Sequence, residues 1–155
     1  MLDNCQSAQE RWGGVNDLID RWLQERQELL VEYCGLSAVK QFSDNDPENG
    51  PKLRHLCQLT VDYVSAGHFE VYEQLIKEAQ DFDDTDALKA AAKLYQVVDK
   101  TTEQLLDFND KYQEIDDLST LTEDLSSIGE SLETRFEAED KMIAVLHTAH
   151  KNLVT

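Results

Sequence analysis

The chain is poor in the residues that break helices or staple loops. Its 155 residues include two prolines, six glycines and three cysteines. That composition argues against a loop-rich or disulfide-framed fold. Positive charge is scarce as well: 14 Lys and Arg stand against 32 Asp and Glu, a formal net charge of −18. Such a chain repels phosphate, so the expectation is no direct nucleic-acid binding and a preference for basic partners. No run approaches the roughly 18 apolar residues of a membrane span. The opening MLDNCQSAQERW has neither the basic nor the apolar region of a signal peptide. Cys5, Cys34 and Cys57 are scattered, with no CxxC, which points to free thiols in a reducing cytoplasm. Cys34 and Cys57 fall on apolar helical positions and are expected in the core, with Cys5 at the surface.

What is present is helical periodicity, on a length that suits a single domain over residues 1–155. The first stripe is Trp12, Val15, Ile19, Trp22, Arg26, Leu29 and Tyr33, with Gly35 placed to end the helix. The turn-rich SDNDPENGP follows. A second helix starts near Pro51, with a stripe of Cys57, Val61, Val64, His68, Val71 and Leu75. The acidic DFDDTD forms a corner, where Asp84 or Thr85 would cap a third helix with stripe Leu88, Ala91, Tyr95, Val98, Thr102, Leu105, Asn109 and Tyr112. The fourth opens at Thr120 and Glu123, at capping-box spacing. Its stripe is Leu121, Leu125, Ile128, Leu132, Arg135, Glu139, Met142, Leu146 and Ala149. The fold class expected is all-α, an antiparallel up-down-up-down four-helix bundle.

Arg26, His68, Arg135 and Glu139 interrupt these apolar stripes. Each alone is an ordinary snorkelling or satisfied core residue. Together, at similar depth, they would form a paired polar layer that fixes register, because a buried charge needs a partner. Beside the second stripe runs another: Asp62, Ser65, Phe69, Tyr72 and Ile76. It reads either as packing against a neighbouring helix or as a groove with two aromatics and an acid for a basic partner. Between Glu103 and Asp140, acidic residues outnumber Lys111 and Arg135 heavily. Such a run is a solvated face in the plain reading and a steering surface in the functional one.

Catalytic and metal chemistry finds little support. No Glu-x-x-His pair of a di-iron bundle occurs. His147 and His150 could share a metal near the C-terminus. Asp81, Asp83 and Thr85 imitate a calcium loop, but Asp86 and Ala92 stand where its Gly and Glu belong. His68 is the sole mid-helix candidate for a histidine phosphotransfer domain, and no lysine stands near it to hold a phosphoryl group. No catalytic set, cofactor motif or metal set is assigned.

The runs Asp20-Arg21-Trp22-Leu23 with Arg26, Asp62-Tyr63-Val64-Ser65-Ala66-Gly67-His68-Phe69 with Tyr72-Glu73, and Arg135-Phe136 with Glu139-Asp140-Lys141 resemble the Rsd/AlgQ family. The stretch CQSAQERWGGVNDLIDRWLQERQELL is most similar to the pseudomonad AlgQ branch. The resemblance implies a cytoplasmic, non-enzymatic anti-sigma factor on a four-helix bundle. It would bind the C-terminal, −35-recognising domain of the primary sigma factor and favour alternative sigma factors, with alginate, siderophore and virulence genes downstream. It further implies partner contacts at Asp62, Ser65, Phe69 and Tyr72, with Asp20 on the boundary and placed with them. Trp22, Arg26, His68, Arg135 and Glu139 would form the structural polar core. A monomer is expected, free of membrane, cofactor and metal, with room for a second regulatory protein. The alternatives are a histidine phosphotransfer bundle and a metal-binding bundle.

Overall fold

The computed structural model describes residues 2–39, 42, 48–114 and 118–153, with side chains from residue 13 onward except 114, 152 and 153. The expectations for Cys5, for the Trp12 side chain and for most of SDNDPENGP lie outside the described residues. The elements are α1 (Leu2–Ser37), α2 (Asn49–Ala66), a π turn (Gly67–Val71), α3 (Tyr72–Asp81), α4 (Thr85–Glu114), α5 (Leu121–Leu146) and a 3-10 helix (Thr148–Leu153). No strand occurs among the described residues. The second rod of the bundle is thus α2, the π turn and α3 taken together.

Neighbouring rods meet in reversed order. Trp22 and Glu32 of α1 meet Tyr63 and His55 of α2. Arg26 and Tyr33 of α1 meet Asp140 and Leu125 of α5. Val98 and Lys111 of α4 meet Arg135 and Asp124 of α5. His68 and Cys57 on the second rod face Tyr95 and Asn109 of α4. Each adjacent pair is therefore antiparallel.

The helix ends follow local energetics. Gly35 does not end α1, which runs on to Ser37. A mid-helix Gly costs about 1 kcal/mol, whereas burying Leu36, 1% exposed, returns roughly 1.5–3 kcal/mol. Pro51 lies in the first turn of α2, where its missing N–H has no intrahelical acceptor. At the acidic corner Asp83 adopts φ 52°, and Asp84, rather than Thr85, caps α4 by accepting the Ala87 N–H at 3.0 Å. The capping box expected at Thr120 does not form. Lys111 Nζ donates to the Thr120 hydroxyl at 2.8 Å and to Asp124 at 2.7 Å, and Thr120 in turn donates to Asp124 at 3.2 Å. A charge-assisted bond from α4 replaces the neutral cap.

The α5 stripe is buried throughout from Leu121 to Leu146, while Ala149, beyond the helix end, is exposed. The second stripe holds at Cys57, Val64, Val71 and Leu75, all buried, and fails at Val61, which is half-buried, and at His68, which is exposed. Leu53, Leu56, Thr60 and Tyr63 widen the buried face before the π turn, and the extra residue of that turn brings Tyr72 into it afterwards. Cys34 is exposed, against expectation, because its side of α1 faces solvent. Cys57 is buried, and burial pushes its thiol up to about 11.

Candidate protein-interaction site

Glu139 is fully buried and anchors a network that crosses the bundle. The Tyr63 hydroxyl donates to Glu139 Oε1 at 2.6 Å, and the Tyr72 hydroxyl donates to Glu139 Oε2. Each tyrosine in turn accepts from an arginine: Arg26 Nε reaches Tyr63 at 3.0 Å and Arg135 Nη2 reaches Tyr72 at 3.1 Å. Arg26 Nη2 and Arg135 Nε lie 3.5 and 3.4 Å from the same carboxylate. Arg135 Nη1 also donates to the Val98 carbonyl and to the Thr101 and Thr102 hydroxyls. Burial pushes the Glu139 carboxyl above the ordinary glutamate range, opposed chiefly by Arg135 and then by the two tyrosines. Burial, followed by the Glu139 charge, raises both tyrosines well above the usual phenol range, so they remain donors. The pairing answers the cost of sinking charge into the core.

Aromatic rings frame this network. Trp22 stacks on Tyr63 at 4.8 Å with planes 2° apart, meets Tyr72 edge-on at 5.8 Å, and donates its indole N–H to the Tyr63 carbonyl at 3.2 Å. The Arg26 guanidinium lies 4.6 Å over Phe136, while its Nη1 reaches Asp140 at 2.7 Å on the rim.

Outside the network the π turn presents His68, Phe69 and Glu70 to solvent. Phe69 is 70% exposed, which is unusual for so large an apolar ring. His68 packs edge-on against it at 4.9 Å, and His68 Nδ1 shares a 2.9 Å hydrogen bond with the Tyr95 hydroxyl of α4. On the other side of Phe69 a groove of about 580 Å³ opens between α1 and α3, lined by Gly14, Val15, Leu18, Arg21 and Lys77. Glu25 of α1 interacts electrostatically with Asp62 of α2 and with Glu70, the residue after Phe69. Partial burial, followed by the charges of Asp62 and Glu70, holds the Glu25 carboxyl above the ordinary range. Gln58 orients Asp62 through a 2.9 Å bond.

The expected residues divide as follows. Trp22, Arg26, Arg135 and Glu139 come together in the core. His68 does not join them and lies at the surface. Tyr72, expected on the contact stripe, is 2% exposed and bound to Glu139. Both displacements follow from the π turn, which uninterrupted periodicity cannot foresee. Asp62 and Phe69 are exposed, Ser65 is half-buried, and Asp20 is exposed on α1 next to Arg21. Nothing in the apolar spacing singles out Tyr63, one residue before Val64, or marks Glu25 and Glu70 among the many acids of the chain.

The acidic face is partly neutralised. Asp124 pairs with Lys111, Asp140 with Arg26 and Glu137 with Lys141, while Glu139 is internal. The two C-terminal histidines turn to separate acids, His147 to Glu78 at 2.7 Å and His150 to Asp84 at 2.9 Å. Among the described residues no group of three or more His, Cys, Asp or Glu is placed to hold a metal. No helix among them is long and apolar enough to cross a membrane.

A profile of the family described as "Regulator of RNA polymerase sigma(70) subunit, Rsd/AlgQ" matches residues 1–147. The chain belongs to the Rsd/AlgQ family. Its relatives include the "Regulator of sigma D" of Yersinia pseudotuberculosis serotype O:1b, 39% identical over 148 residues, which are 92% of this chain and 87% of that one. The protein of the same description from Enterobacter sp. strain 638 is 40% identical over 150 residues, 94% of this chain and 89% of its own. Within this Rsd/AlgQ bundle, Phe69 is an exposed large apolar side chain that stands next to Glu70 on the π turn.

Proposed function

We propose that the protein is an anti-sigma regulator that binds the C-terminal, −35-recognising domain of the primary sigma factor through the face around Phe69. The family match and the description of the relatives support the sigma factor as partner. The observation that carries the site is Phe69, 70% exposed, beside Glu70, which together with Asp62 acts on the Glu25 carboxyl. A domain that reads DNA presents a basic surface. An acidic face covers that surface and competes with phosphate, and the phenyl ring supplies the apolar contact that charge alone lacks. Asp62, Phe69, Ser65 and Asp20 are the contact set. Tyr72 acts from inside. The protein itself would bind no nucleic acid, work as a monomer in the cytoplasm and catalyse nothing.

The test is isothermal titration against the isolated C-terminal domain of the primary sigma factor at two salt concentrations. Binding that weakens with salt, falls at least about tenfold with Phe69→Ala and falls less with Asp62→Ala supports the reading. Wild-type affinity in Phe69→Ala removes this face from the contact.

The exposure of His68 favours a second reading, histidine phosphotransfer. Its Nδ1 is engaged by Tyr95, and Asp99 and Glu70 add negative charge nearby. Incubation with phosphodonors, followed by a search for acid-labile phosphate at His68, decides it.

A further inference from the structure

Residues three apart on an α-helix share a face. Phe69 and Tyr72 are three apart, yet one is 70% exposed and the other 2%. Tyr63 and Tyr72 are nine apart, about two and a half turns at 3.6 residues per turn, which puts them on opposite sides of an unbroken helix. Both nevertheless donate to the two oxygens of Glu139. The π turn between them reconciles these facts. The Tyr72 N–H reaches back to the Gly67 carbonyl, five residues earlier, and the added residue rotates Tyr72 inward while Phe69 stays out.

Two residues hold this turn. A β-carbon on Gly67 would lie 3.0 Å from Trp22 Cζ2 and 3.1 Å from the Tyr72 hydroxyl, so the rings close over the turn only because Gly67 has no side chain. Glu139 holds the Tyr72 hydroxyl on the far side, with Arg135 donating to the same oxygen. If the turn relaxed to α-helix, Tyr72 would rotate towards the Phe69 face and leave Glu139 and Arg135 short of a partner in the core.

We propose that Gly67 and Tyr72, the latter held by Glu139, are positioning residues for the sigma-facing surface: they maintain the π turn that separates a buried tyrosine from an exposed phenylalanine. The inference rests on the reading of Phe69 as the partner contact. It predicts that Tyr72 matters for binding although no partner can touch it.

The experiment compares wild type, Tyr72→Phe, Gly67→Ala and Phe69→Ala in titration against the sigma C-terminal domain, with amide hydrogen exchange at Tyr72 and thermal unfolding on each free protein. Tyr72→Phe keeps the packing and deletes the hydroxyl. Gly67→Ala raises helix propensity while crowding Trp22 and Tyr72. Each is expected to weaken binding by about tenfold, which corresponds to about 1.4 kcal/mol. Each should also accelerate exchange of the Tyr72 amide while exchange of the α5 core amides stays slow. A merely structural role would change unfolding temperature without this local exchange or the affinity loss. Wild-type affinity in both Tyr72→Phe and Gly67→Ala, with Phe69→Ala impaired, overturns the inference and leaves the contact face standing. Wild-type affinity in Phe69→Ala overturns the contact face itself.

Discussion

The Tyr33 hydroxyl occupies the space that a β-carbon on Gly129 would need, and from there it donates a 2.8 Å hydrogen bond to the Leu125 carbonyl. Tyr33 belongs to α1, Gly129 and Leu125 to α5, so the contact sets how closely these two helices approach. Gly129→Ala should therefore destabilise the protein by about 1–3 kcal/mol, although alanine is the better helix former. Tyr33→Phe removes the clashing oxygen, so the double variant should be more stable than the sum of the single effects allows. Urea unfolding of the four proteins measures the coupling, and simple additivity would refute the contact.

Arg135 is the most heavily bonded charge in the core. Arg135→Met removes its donors to Val98, Thr101, Thr102 and Tyr72 and takes away one of the two cations beside Glu139. The expected loss is about 3–5 kcal/mol, as for breaking one side of a buried ion pair. Arg26→Met should cost less, since Arg26 is partly exposed and its Asp140 partner lies on the rim. Denaturant midpoints order the two. An equal loss would mean that the rim bond carries as much as the buried ones.

These two contacts show unequally how far sequence reaches into this fold. Arg135 and Glu139 stand out because charge interrupts an unbroken apolar stripe, so their burial follows from spacing alone. Their tyrosine partners do not stand out, because tyrosine suits core and surface alike. Along the second rod the apolar stripe largely holds, but the exposure of His68 and the burial of Tyr72 escape it, because a π turn adds one residue without any breaker residue to mark it and Gly67 reads as an ordinary notch. The clash at Gly129 depends on which tyrosine of α1 lies opposite, a matter of three-dimensional register. Of the candidate contact stripe, the exposure of Asp62 and Phe69 is legible in the sequence and the inward turn of Tyr72 is not.

Acid unfolding should respond oppositely to two carboxyls. The His150 hydrogen bond, and then the Ala87 N–H, hold Asp84 below the ordinary aspartate range. Its stabilising contribution is therefore complete above that range and is lost as pH falls through the depressed folded value. Burial holds Glu139 above the ordinary glutamate range, so its contribution is greatest below that range and is lost as pH rises through the raised value. Asp84→Asn should flatten the acid limb of stability and Glu139→Gln should steepen it. Urea midpoints between about pH 3 and 7 read both slopes, and a shared direction of change would contradict the assignment.

Partner binding should release protons. Partial burial first, and then Asp62 and Glu70, keep the Glu25 carboxyl above the ordinary range. A basic surface docked beside Phe69 adds positive charge there and lowers that value. Affinity should then fall as pH drops into the range where free Glu25 takes up a proton. Titration calorimetry in buffers of different ionisation enthalpy counts the protons. Glu25→Gln should remove most of the signal, and an unchanged count would place Glu25 away from the interface.

The core network holds two arginines for one glutamate, with Asp140 left at the edge. Glu78 is buried as well, so the charges inside the bundle nearly cancel and the water-facing shell carries close to the whole formal charge of −18. Two copies approaching each other in dilute buffer meet a rising potential from nearly every side, and the range of that repulsion shrinks as salt is added. Light scattering on the free protein should accordingly read a repulsion between copies that weakens as salt is added.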